Sequence, residues 1–130
     1  MFADKGEAAP FSISAIEDYP SIRIVRLRGA IESKAVAELE RFRKWIANHS
    51  GFKHKHVLLD FKHVTHLDTS AVAQIIQHVT ELKGAKYRLG AIHLNDQCKS
   101  MFQILKVDKL VTLYENESAA IEDIIQQTKK

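Results

Sequence analysis

The densest chemistry in the sequence lies in Asp68-Thr69-Ser70, a carboxylate followed at once by two hydroxyls. Asp is well suited to open a helix, because its side-chain oxygen accepts a backbone N–H that has no partner inside the helix. Leu67 before it and Val72 four residues beyond are spaced for a hydrophobic staple that fixes the approach of the chain. Thr69 and Ser70 then fall in the first turn, beside unpaired N–H groups and the positive end of the helix dipole. A phosphate carried on a hydroxyl there is electrostatically favoured. The same three residues also serve as ordinary caps, and spacing alone does not separate the two roles.

Other reactive side chains carry less. His54, His56, His63 and His66 cluster around one apolar run. Zinc usually takes four ligands, with cysteine or carboxylate help and a supporting shell, so these read as solvated histidines and no metal is expected. Cys98 shares an i, i+3, i+4, i+7 stripe with Met101, Phe102 and Leu105, which makes it a core thiol of a short helix. Trp45 reads as a boundary aromatic. Arg23, Arg26 and Arg28 form the densest basic stretch, but 19 basic residues are offset by 16 acidic ones for a net charge of +3. That is not the concentrated basic face of a nucleic-acid binder. The sequence has no G-x-x-x-x-G-K-[ST] loop, no G-x-G-x-x-G and no G-x-S-x-G elbow. Arg28-Gly29-Ala30 lacks the acidic pair by which a phosphorelay receiver holds magnesium. No enzyme activity and no cofactor are expected.

These groups need a scaffold. At 130 residues, 45% hydrophobic and 27% charged, the chain suits one globular domain. No run approaches the roughly 20 apolar residues of a membrane span, so no direct membrane insertion is expected. Residues 1–10 read as a flexible arm without the apolar centre of a signal peptide. A single cysteine excludes an internal disulfide and fits the reducing cytoplasm.

From Phe11 to Ile16 the sequence largely alternates, as a half-buried strand does, and Ile22 to Arg28 forms a second strand closed by Gly29. The apolar phase slips between Ile24 and Val25, which means a bulge or burial on both faces. Ser33 is placed to cap a helix to about His49, with Val36, Leu39, Phe42 and Ile46 on one stripe and Gly51 at the stop. Val57-Leu58-Leu59, ending at Asp60, is the continuous run of a central parallel strand covered on both faces, with a loop following. Then come a helix from Thr69 to Lys83 stopped at Gly84, a strand from Tyr87 to Leu94 and the short Cys98 helix. A strand from Leu110 to Tyr114 and a last helix with Ala120, Ile121, Ile124 and Ile125 inward complete the chain. The order ββαβαβαβα gives an α/β domain with a mostly parallel sheet and an N-terminal antiparallel pair.

The segment from Val57-Leu58-Leu59-Asp60-Phe61 through Val64 to Leu67-Asp68-Thr69-Ser70-Ala71-Val72 resembles the signature of STAS domains. That signature is an apolar strand ending in Asp, a short loop, then Asp-Ser-(Ser/Thr)-Gly opening a helix. The likeness extends over residues 11–127, through Leu27-Arg28-Gly29 and the stretch from Met101-Phe102 to Leu110. It implies a STAS-type single domain over residues 11–127 and a non-catalytic signalling module, an anti-sigma factor antagonist that binds an anti-sigma serine kinase. By that resemblance Thr69 is the phosphorylation site, with Ser70 the alternative. The partner-binding surface would comprise Glu32, Asp60, Asp68, Thr69, Ser70 and Ala71. Other branches of the family imply a transport-associated module (a sulfate-transporter tail or a lipid-transport accessory subunit) or a stressosome-like scaffold. Three residues depart from the pattern, the first being Thr69 in place of the commoner Ser, which is chemically permissible but sterically fuller. Ala71 stands where the family usually has Gly, which is expected to make the first turn less open to a partner, and Lys106 takes the place of a late Gly.

Overall fold

Val57, Leu58 and Leu59 are each 0% exposed, and the layers are built outward from them. The structure is a computed structural model that describes residues 11–48, 55–83, 87–106 and 110–128. The central run belongs to β3 (His56–Leu67), the middle of a five-stranded sheet of order β1-β2-β3-β4-β5. β1 (Ser12–Asp18) pairs antiparallel with β2 (Ile22–Ile31), while β2, β3, β4 (Leu89–Ile92) and β5 (Thr112–Tyr114) run parallel. With α1 (Val36–Ala47), α2 (Thr69–Lys83), α3 (Asp96–Ile104) and α4 (Glu117–Thr128), the element order is the expected ββαβαβαβα.

Two apolar layers flank the sheet. The larger joins Leu59 and Phe61 to Phe42 and Ile46 of α1, Val72, Ile75, Ile76 and Val79 of α2, and Phe102 of α3. The smaller joins Ile22, Ile24, Leu58 and Ile92 to Ala120 and Ile124 of α4. Ile24 thus faces one layer and its neighbour Val25 the other, so the phase slip is burial on both faces. The register irregularities lie elsewhere, between Ile13 and Ala15, Arg26 and Arg28, and Gly29 and Ala30. Cys98 and Trp45 are partly buried against the larger layer, and burial pushes the Cys98 thiol above its ordinary pKa.

Several boundaries differ from expectation. β3 does not end at Asp60, nor β2 at Gly29. β4 pairs with β3 only from Val57 to Asp60, and beyond that point β2 and β3 continue together to the pair Ile31–Leu67. Val64 and Leu67 pack on the larger layer while Lys62, His63, Thr65 and His66 are exposed, which is why the segment reads as a loop. Ser33 does not cap α1; the helix starts after Ala35 with no side-chain cap, and Val36 is 68% exposed. β4 and β5 are shorter than expected, leaving Leu110 50% exposed, and Ile125 is 40% exposed on the outer side of α4. The N-terminal arm, His49, Gly51, His54 and Gly84 lie outside the described residues. Among the described residues no helix is long and apolar enough to cross a membrane.

Candidate functional site

Asp68 stands between the end of β3 and the start of α2, and it bonds in both directions. Its Oδ1 accepts the Ala71 N–H at 2.8 Å, the capping contact that its position predicts. Its Oδ2 accepts the Ser33 N–H at 2.6 Å, and its own N–H donates to the Ile31 carbonyl at 2.9 Å. The carboxylate therefore fastens the β2–α1 loop to the first turn of α2. Ser33 contributes its backbone here rather than a helix cap, a role for which the sequence carries no signal. Partial burial acts to raise the pKa of Asp68, but the Ser33 and Ala71 amides outweigh it and hold the carboxyl below its ordinary value.

Thr69 and Ser70, the first residues of α2, are both exposed. Ala71 is 0% exposed. Its methyl group is turned into the larger layer, so it does not narrow the outer face of the first turn, contrary to the expectation from its replacing Gly. It also cannot itself belong to a partner surface. Glu32 is half-buried nearby, with its carboxylate 3.9 Å from Lys34 Nζ. Glu32 and Asp68 border a cleft of about 210 Å³ whose far wall is Asn95, Gln97, Cys98 and Met101 of the α3 region. That wall was missed in the sequence because its residues lie far along the chain from the Asp68 turn. Asn95 shapes it by accepting the Cys98 N–H at 2.8 Å, which opens α3.

Asp60 has a different setting. It is 3% exposed and faces the α4 side, so it does not join Asp68 on an outer surface as expected. Arg26 Nη1 donates to its Oδ2 at 2.8 Å, the Lys62 N–H to its Oδ1 at 2.9 Å, and His93 Nδ1 lies 2.7 Å from the same oxygen. Arg26 also meets Glu17 at 2.7 Å and Glu117, in the first turn of α4, at 2.9 Å. The cluster ties β1, β2, β3, the segment after β4 and α4 together. Desolvation acts to raise the pKa of Asp60, yet His93, the Lys62 amide and Arg26 together lower it. His93 holds its place with φ of 63°, a left-handed conformation uncommon outside Gly. A charged residue inside each of two apolar strand runs was the available signal that Arg26 and Asp60 needed buried partners.

The histidines disperse. His56 is 8% exposed, and its Nδ1 accepts the Arg88 N–H at 2.8 Å while its ring meets Tyr87 edge-on at 5.4 Å. His63 and His66 lie exposed on the far half of β3. Among the described residues no three His, Cys, Asp or Glu side chains converge as a metal would require.

The site is thus a rigidly held helix start that presents two hydroxyls, and comparison with known proteins places this architecture. Residues 14–120 match the STAS domain family profile. No curated protein matches the sequence directly. Among solved structures, an anti-sigma factor antagonist from Mycobacterium paratuberculosis is 16% identical, with a TM-score of 0.72 over 88% of this chain and 94% of that one. The anti-sigma factor antagonist SpoIIAA in its unphosphorylated form is 18% identical, with a TM-score of 0.66 over 86% of this chain and 96% of that one. The phosphorylated form of the Bacillus cell fate determinant SpoIIAA gives 18% identity and a TM-score of 0.60, over 85% and 97%. These likenesses carry the fold, and the profile covers most of the length: the chain belongs to the STAS domain family.

Proposed function

We propose that this chain is a non-catalytic binding switch of the cytoplasm, an anti-sigma factor antagonist whose partner is an anti-sigma factor with serine-kinase activity, and that Thr69 is its phosphorylation site. The observation that carries the reading is the pair of exposed hydroxyls at Thr69 and Ser70, on a helix start held in place by Asp68 through both Ser33 and Ala71. A similar fold occurs in a protein solved in both phosphorylated and unphosphorylated forms. The contact surface is Asp68, Thr69, Ser70 and Glu32, with Met101 across the cleft. Asp60 and Ala71 act from beneath, as supports.

In the transfer, the Thr69 hydroxyl oxygen attacks the γ-phosphorus of ATP, ADP leaves, and the hydroxyl proton passes to a base of the kinase. The product carries about −1.5 to −2 charges beside Asp68. The helix dipole returns about 0.3–1 kcal/mol for an exposed anion, which offsets part of that repulsion, so the fold persists. The cost falls on the complex, where a hydrated dianion must be desolvated against the partner. Each 1.4 kcal/mol or so lost there weakens binding about tenfold.

The test is incubation with the anti-sigma kinase and ATP, followed by mass-spectrometric mapping. Label is expected on Thr69, Thr69→Val should abolish labelling yet retain binding, and Thr69→Glu should weaken the complex. Label lost in Ser70→Ala and kept in Thr69→Val would move the site by one residue. Absence of label, together with wild-type binding by Thr69→Glu, would reject the switch.

A further inference from the structure

Three arginines follow one another along β2, and the third stands apart. Arg23 bonds Asp18 at 2.6 and 2.8 Å, and Arg26 meets Asp60, Glu17 and Glu117. Arg28 is exposed, and its side chain makes no hydrogen bond or ion pair among the described residues. It lies where the β2–β3 ladder has outrun β4, opposite His63 in the register. α4 covers the sheet around Ile22, Ile24, Leu58 and Ile92, and leaves this end open.

Here a depression of about 390 Å³ is lined by Ser14 of β1, Arg28 and Gly29 of β2, and His63 and Thr65 of β3. None of the five is acidic. Gly29 holds φ of 87°, a conformation that a side chain resists, and its missing Cβ leaves the backbone approachable. The guanidinium offers a planar fork of N–H donors suited to two oxygens of one group. The His63 imidazole adds a donor from the neighbouring strand, and Thr65 adds a hydroxyl, which lies 3.4 Å from His66 Nδ1. The Ser14 hydroxyl proton is turned to the Arg26 carbonyl at 3.2 Å, so Ser14 serves as a wall. An unpaired cation, an imidazole and a hydroxyl around a side-chain-free floor match a tetrahedral oxyanion better than an apolar or cationic ligand.

We infer that the depression at Ser14, Arg28, Gly29, His63 and Thr65 is a phosphate-binding site, separate from the Thr69 hydroxyl and independent of the phospho-switch. The phosphate is either free inorganic phosphate or the headgroup of a phosphomonoester lipid. Titration of the intact chain with inorganic phosphate, followed by ¹H–¹⁵N NMR, tests it. Saturable shifts are expected at the amides of Arg28, Gly29, His63 and Thr65. The dissociation constant should rise tenfold or more in Arg28→Gln, and by less in His63→Gln. Arg43→Gln, which removes the same charge from an exposed site on α1, should leave it unchanged. Unsaturable shifts, equal weakening by Arg43→Gln, or an unchanged constant in Arg28→Gln would each overturn the site. Sedimentation with phosphatidylcholine vesicles, with and without phosphatidic acid, distinguishes the sources. Alongside saturable inorganic phosphate binding, phosphatidic-acid-dependent sedimentation lost in Arg28→Gln assigns the headgroup, and its absence assigns the free anion. Vesicle binding without inorganic phosphate binding counts against the proposal.

Discussion

Two carboxylates belong to the same stretch of chain, Asp60 within β3 and Asp68 at its end, and the fold uses them in opposite ways. Asp60 is buried and held by a guanidinium, an imidazole and one amide. Asp68 is half-buried and held by backbone amides together with the Ser33 side chain. Both are kept below the ordinary carboxylate pKa. The causes differ, and so does what each leaves free. Around Asp60 the neighbouring polar groups are turned on one another. Around Asp68 the anchoring is complete while the next two hydroxyls face outward. A group fixed by backbone amides can position a reactive neighbour without spending charged side chains that a partner would need.

The contrast breaks most sharply on substitution. Asp60→Ala should lower the unfolding free energy by about 3 kcal/mol, at the low end for a broken buried pair because Arg26 keeps Glu17 and Glu117. A urea titration showing a smaller loss than that of Asp68→Ala would erase the distinction. The α4 side that Asp60 faces is also tightly filled: a Cβ on Gly90 would lie 2.8 Å from both Leu58 Cδ1 and Tyr114 Cε2. Gly90→Ala should therefore cost about 1–3 kcal/mol by overpacking, readable in the same titration, and a neutral result would show that the Leu58 and Tyr114 side chains give way freely. Asp68→Ala should cost about 1 kcal/mol, the usual loss of a cap, with a larger effect on partner affinity than on stability.

Acid sharpens the comparison without substitution. A carboxylate with a lowered folded pKa contributes stability that is complete above its unfolded value near about 4 and is lost as pH falls through the folded value. Asp18, which Arg23 holds down to about 2, belongs to the same set. The melting temperature should thus fall between about pH 4 and about pH 2. Asp60→Asn should flatten that fall more than Asp68→Asn; equal flattening would mean that the two environments are energetically alike. The smallest effect concerns Lys106, which follows α3 with φ of 58° where the family usually has Gly. Lys106→Gly should raise stability by a few tenths to about 1 kcal/mol, because relief of left-handed strain exceeds the entropy that glycine costs. A loss in thermal denaturation would show that the Lys side chain has a stabilising contact of its own.

The element order and the central strand were legible because Val57-Leu58-Leu59 is an uninterrupted β-favouring apolar run and the α2 stripe carries a helical period. The Asp68 cap was legible for the same local reason. What escaped lies in pairings between distant segments. The outer half of β3 looked like a loop because its apolar residues Phe61, Val64 and Leu67 recur every third position, a spacing that strand alternation does not give and that the register shifts against β2 accommodate. Asp60 looked like a surface residue at a strand end, since its partners Arg26 and His93 stand 34 and 33 positions away. The first-turn role of Ala71 was misjudged because the sequence does not tell which side of a helix start faces the core.

The bond from the Ser33 amide to Asp68 spans 35 positions of sequence within 2.6 Å. A short bond to a charged acceptor strongly deshields its proton, so Ser33 should resonate well downfield of other loop amides. It should also exchange with solvent slowly for so exposed a residue, because the proton is released only when the loop parts from α2. One nitrogen–proton correlation therefore reads the docking of the two segments directly. It gives the molecule an internal gauge at the foot of Thr69, measurable without a partner or a substitution.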